Sequence, residues 1–167
     1  MRHQNCNSQY LCWHCWSILT PVEKLRFFIR FKLKMKKKIL AIDDSKAIRF
    51  LLQTVLGKEH QVVTAPDGCT AMYWLSKRNI PDLIICDPQV PDMKDWEMID
   101  ELRSSILYRS IPIMVISSLD KNETKSRCEE YGIAEYFMKP FNPVILSESI
   151  NRMTGKTTWG THSTSLS

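Results

Sequence analysis

The chain has 167 residues, 44% of them hydrophobic, which supplies a core for one domain of ordinary size and excludes a disordered or fibrous chain. Its net charge of +5 is unevenly spread: residues 1–38 carry nine Lys/Arg against Glu23 alone (9 − 1 = +8), which leaves 14 basic and 17 acidic residues, or −3, for 39–167. The globular part is therefore mildly acidic, and the pI of 8.9 is no argument for nucleic-acid binding by the core.

In chain order, the first 34 residues form a basic arm. Cys12 and Cys15 make a CxxC with Cys6, His3 and His14 nearby, which are competent zinc ligands, but a structural zinc site needs a second half and none follows. The stretch LRFFIRFKLK interleaves bulky apolar and basic residues, a pattern suited to an anionic surface. The plainer expectation is an upstream extension from a misplaced start, since Met35 opens MKKKILAIDD. Charges interrupt every apolar stretch short of the roughly 18 residues of a membrane helix. The opening residues make a poor signal peptide, and Cys69, Cys86 and Cys128 fall in helix or strand patterns that suit reduced core thiols. A cytoplasmic address is expected.

From Lys38 the pattern alternates strand and helix. Expected strands are KILAI, QVVTA, DLIICD, PIMVIS and YFMK; expected helices are AIRFLLQTVLGK, CTAMYWLSKRN, WEMIDELRSSIL, NETKSRCEEYG and PVILSESINRM. Five βα units imply a parallel sheet covered on both faces. Ile48, Leu51, Leu52, Val55 and Leu56 give the first helix an apolar face. Ser45 is placed to cap it, and Gly57 and Gly132 stand where the first and fourth helices should stop. The domain is expected to span 37–153, and the polar tail 154–167 to be disordered.

Four strands end on polar residues: Asp43 and Asp44, Asp87, Ser117, and Lys139. In a parallel sheet these ends gather at one edge, where open α/β folds keep their chemistry. Three carboxylates suit Mg²⁺, a hard cation that takes oxygen ligands and neutralises their mutual repulsion. A lysine would neutralise phosphoryl oxygens, and a serine hydroxyl would donate to one of them. The five glycines form neither G-x-G-x-x-G nor a P-loop, which speaks against a nucleotide- or flavin-binding enzyme.

This order of DD, D, S and KPF resembles the receiver domain of two-component response regulators over roughly residues 37–153. The resemblance implies a flavodoxin-like α/β fold with sheet order 2-1-3-4-5. It implies Asp87 as acceptor of a phosphoryl group from a histidine kinase or histidine phosphotransfer protein, without turnover of a separate metabolite. Asp43 and Asp44 would hold Mg²⁺ together with Asp87, with Asp44 the direct ligand of the acidic pair and the Gln89 main-chain carbonyl a further one. Ser117 and Lys139 would contact the phosphoryl group, Tyr136 would act as aromatic switch, and the output face would be the fourth helix, fifth strand and fifth helix. The Lys139–Pro140 bond is usually cis in that family. Output would be contact with another protein or onward relay, the alternative being an adaptor that binds a partner without phosphorylation.

Two departures stand out after Asp87. Pro88 removes a main-chain donor beside the acceptor, and Asp95 replaces the usual glycine. Aspartate tolerates left-handed angles better than most residues, so the turn is expected to survive at Asp95. Ser118 is small, as phosphate access requires, and Leu119 offers no side chain to assist a dephosphorylating water, which suggests a long-lived phosphoryl state.

Overall fold

The computed structural model describes residues 20–24 and 36–155. The chain divides into two units, Met1–Met35 and Lys36–Ser167, each taken by itself. In the first, residues 21–24 form a helical turn closed reciprocally: Thr20 N donates to Glu23 Oε2 (2.9 Å) and Glu23 N to Thr20 Oγ1 (3.3 Å). The Cys12–Cys15 pair, the whole LRFFIRFKLK stretch and the tail beyond Gly155 lie outside the described residues.

The second unit runs β1 (Lys38–Ile42), α1 (Lys46–Leu56), β2 (Gln61–Ala65), α2 (Gly68–Ser76), β3 (Leu83–Cys86), α3 (Glu97–Ser104), β4 (Ile113–Ser117), α4 (Lys121–Glu130), β5 (Glu135–Met138) and α5 (Pro143–Met153). All strand pairings are parallel, as the alternating pattern predicts, and the order is β2-β1-β3-β4-β5, as the resemblance implies. Alternate residues of the central strands point to opposite faces. Ile39, Ala41, Leu83, Ile85, Met114 and Ile116 pack with Leu52 and Leu56 of α1 and Leu146 and Ile150 of α5. Leu40, Ile42, Ile84, Cys86, Ile113 and Val115 pack on the other side with α2, α3 and Cys128 of α4. Each buried Leu or Ile contributes roughly 2 kcal/mol, so a sheet covered twice is the main source of stability.

Helix ends follow local chemistry. Ser45 Oγ accepts from Ile48 N, as expected of the cap. Gly132 ends α4 at φ +63°, where Ile133 N bonds Cys128 O (2.7 Å) and Gly132 N bonds Glu129 O (3.2 Å), a closed C-terminal turn. Gly57 also sits at a helix end but keeps right-handed angles.

Some expectations are corrected. The second helix stops at Ser76 rather than running to Asn79, because Arg78 turns left-handed (φ 62°). The third stops at Ser104, and Ile106 and Leu107 beyond it are exposed, so they add nothing to an apolar face. Cys69 is an exposed thiol at the start of α2, whereas Cys86 and Cys128 are buried free thiols as expected. The left-handed residue after Asp87 is Trp96 (φ 68°), one position later than Asp95. A bulky residue there costs on the order of 1–2 kcal/mol. Two gains offset it: Trp96 N reaches Pro88 O (2.9 Å), and the indole is 98% buried, worth roughly 4 kcal/mol.

Candidate functional site

The sheet reverses its winding between β1 and β3, which opens a crevice at their carboxyl ends. Ile42 pairs with Cys86, so the next residues, Asp43 and Asp87, stand side by side. Asp43, Asp87 and Lys139 each extend the ladder one step beyond their strands. Asp43 N donates to Ala65 O (3.2 Å), Asp87 N to Ile42 O (2.9 Å) and Lys139 N to Ser117 O (2.8 Å). Strand register, rather than a mobile loop, thus sets where these side chains start.

Asp43 and Asp87 are buried, Asp44 is exposed, and one oxygen from each lies within 4.8 Å of the others. Lys139 Nζ bridges the two buried acids, 2.6 Å from Asp43 Oδ2 and 2.5 Å from Asp87 Oδ2. The Lys139–Pro140 bond is cis. The remaining oxygens are held by main chain: Asp43 Oδ1 accepts from Ser45 N and Asp87 Oδ1 from Gln89 N, both at 2.8 Å. Arg49 of α1 clamps the turn behind the pair, its Nη1 donating to the carbonyls of Asp43 and Asp44 at 2.7 Å.

Three carboxylates gather here and one ammonium pairs with two of them, so the cluster carries excess negative charge. Burial pushes the Asp87 carboxyl above the ordinary range, and the negative charge of Asp43 adds to it, outweighing the Lys139 and Gln89 hydrogen bonds. Burial alone would lower Lys139, but its bonds to Asp43 and Asp87 and their charges hold it above its usual value, so it is a fixed cation. Cys86, next in chain, is raised by burial and by the charges of Asp87 and Asp43, so it stays a neutral thiol. An all-oxygen donor set with unbalanced negative charge fits Mg²⁺.

The remaining expected residues fall around this cluster. Ser117 is fully buried at the end of β4, with its Oγ accepting from Leu119 N (3.0 Å) and Thr124 Oγ1 (3.2 Å). Tyr136 is half-buried in β5 and packs on the core. Ser118 is exposed and Leu119 half-buried. Pro88 is buried and lacks an N–H, but the next residue, Gln89, supplies a donor to Asp87, and the Gln89 side chain reaches Asp95 Oδ2 (3.3 Å). Sequence reasoning missed Arg49 and Thr124. Arg49 had a signal, a basic residue one helical turn beyond Ser45 on a helix leading out of the acidic turn; Thr124 had none, being one hydroxyl in a polar helix.

Residues 39–151 match the family model described as the response regulator receiver domain. Among curated proteins the chain is 30% identical over 121 residues to the response regulator PleD of Caulobacter vibrioides, covering 72% of this chain and 26% of PleD. It is 34% identical over 108 residues to the transcriptional regulatory protein KdpE of Staphylococcus aureus, covering 65% of this chain and 46% of KdpE. The chain thus spans about a quarter to a half of the length of these relatives. Among solved structures it superimposes on the chemotaxis response regulator CheY4 of Vibrio cholerae with a TM-score of 0.64 at 30% identity, covering 71% of this chain and 99% of that one.

Proposed function

Because this chain belongs to the response regulator receiver family, we propose that it accepts a phosphoryl group on Asp87 from the phosphohistidine of a histidine kinase or histidine phosphotransfer protein. The observation that carries the reading is the Lys139 ammonium bridging two buried carboxylates, with a third within 4.8 Å, at the sheet's switch point. Asp43, Asp44 and Asp87, with the Gln89 carbonyl, would hold Mg²⁺, and Asp44 would be the direct ligand of the acidic pair. When bound, that ion supplies positive charge against the acceptor and the phosphoryl oxygens.

In the transfer, a carboxylate oxygen of Asp87 forms the bond to phosphorus as the phosphorus–nitrogen bond of the donor breaks. The electron pair leaves with the imidazole, which takes a proton. Gln89 N–H keeps the Asp87 carboxylate oriented through Oδ1. Lys139, already 2.5 Å from Oδ2, neutralises a phosphoryl oxygen, and the Ser117 hydroxyl donates to another. The movement of Ser117 lets Tyr136 turn inward and changes the face built from α4, β5 and α5, through which a protein partner reads the state. The protein is a switch that labels itself rather than an enzyme with a separate substrate. Its working unit spans 37–153, with residues 1–34 and 154–167 as appendages.

Incubation with a labelled phosphohistidine donor or acetyl phosphate and Mg²⁺ tests this. Asp87→Ala is expected to abolish labelling, and undiminished labelling of that variant refutes the assignment.

A further inference from the structure

Helix α4 differs from its neighbours in what holds it to the sheet. Its sequence, KNETKSRCEE, has no apolar stripe, and only Thr124 and Cys128 are buried. Helix α5, by contrast, buries Leu146 and Ile150 against the strands. The N-terminal half of α4 therefore meets the sheet through Thr124 alone, and that contact is polar. Thr124 Oγ1 donates to Ser117 Oγ across 3.2 Å, and both residues are fully buried. A hydroxyl has two acceptor positions, and Ser117 fills both, with Thr124 and with Leu119 N at the entrance to α4. Among the described residues, neither Asp87 nor Lys139 is hydrogen-bonded to that hydroxyl.

The geometry points to Thr124 as a positioning residue for Ser117, a latch that holds the hydroxyl oxygen toward α4 until a phosphoryl oxygen, by accepting from the Ser117 O–H, draws it away. This deepens the reading of Asp87 as acceptor and rests on it. For Ser117 to donate to a phosphoryl oxygen on Asp87, Oγ swings away from Thr124 and the hydrogen bond between them is given up. No covalent bond changes; one buried hydrogen bond is exchanged for another. The exchange removes the polar anchor of the first turn of α4 at the moment the site is filled. The state of the acceptor is thus passed to the helix through a single hydroxyl pair.

The net value of one such bond corresponds to about a fivefold change in an equilibrium. Calorimetric titration of the full chain with beryllofluoride, a phosphoryl mimic, at saturating Mg²⁺ reads it. Thr124→Val keeps the shape, removes the donor, and is expected to bind the mimic about fivefold more tightly than wild type. Thr124→Ser keeps the donor and is expected to match wild type, while affinity for Mg²⁺ alone stays the same in all three. Hydrogen exchange of wild type gives a readout that needs no variant: amides of residues 121–124 are expected to exchange faster once beryllofluoride is bound. Equal or weaker binding by Thr124→Val, or unchanged exchange in α4, overturns the latch alone. A wild-type protein that ignores beryllofluoride overturns the acceptor reading, and the latch falls with it.

Discussion

Replacing Lys139 with methionine keeps most of the side-chain volume and removes the charge between Asp43 and Asp87. The ammonium is 2.6 Å and 2.5 Å from their oxygens, and the three side chains are 16%, 4% and 5% exposed. At an effective dielectric of about 20, each pair attracts by roughly 6.5 kcal/mol, much of which offsets the cost of burying the charges. Removing one partner of a buried pair costs about 3–5 kcal/mol, because the other charge is left uncompensated. Here two acids lose their cation, but Asp87, whose carboxyl burial already pushes up, can take up a proton instead, so the lower end applies, about 3 kcal/mol. For a unit of this size that is a fall in Tm of about 10 °C. Mg²⁺ held by the same carboxylates would replace the missing charge, so millimolar Mg²⁺ should raise the variant's Tm by more than it raises wild type's. Differential scanning calorimetry with and without Mg²⁺ measures both. A variant as stable as wild type in chelator, or a Mg²⁺ shift no larger than wild type's, refutes the electrostatic account of the site.

Other outcomes follow from single contacts. Gly132→Ala meets no atom within 4 Å, so its cost is that of an L-residue at φ +63°, about 1 kcal/mol, seen as a lower urea midpoint with an unchanged slope. Asp120 caps α4 by accepting from Asn122 N (2.8 Å) and Glu123 N (3.1 Å). Asp120→Ala should cost about 1 kcal/mol and speed hydrogen exchange in the first turn of α4 before any other helix. Asp92 accepts from Cys69 N (2.7 Å) and Gly68 N (2.8 Å), and these bonds, Cys69 first, hold its carboxyl below the ordinary range. A group depressed in the folded state stabilises fully above its unfolded value near 4 and loses this as pH falls through the folded value. Asp92→Ala should therefore flatten the loss of urea stability as pH falls below about 4. A parallel loss in variant and wild type would mean those bonds contribute nothing.

The strands and the gathering of their polar ends were legible in sequence because both depend on short-range patterns. An apolar run of four or five residues ending on Asp, Ser or Lys specifies its own strand end, and parallel pairing brings such ends together. The Ser45 cap and the Gly132 stop were readable for the same reason, since each is decided within four residues. The turn after Asp87 was not. Whether Asp95 or Trp96 goes left-handed is decided by burial of the indole and by a hydrogen bond back to Pro88, which lie outside any local window. Thr124 was invisible because a hydroxyl in a polar helix looks like solvation until β4 is seen beneath it.

Trp96 gives the molecule a mechanical link as well. Its main-chain N–H is tied to Pro88, the residue directly after Asp87, while its ring stacks on Tyr131 at 5.9 Å and lies beneath the Arg127 guanidinium at 5.6 Å. Tyr131 in turn donates to Asp100 of α3. The loop after Asp87 and the far end of α4 therefore share one aromatic plate. A displacement at Pro88 would be passed to that plate, and indole emission would record it in a chain whose other four tryptophans, Trp13, Trp16, Trp74 and Trp159, are replaced by phenylalanine.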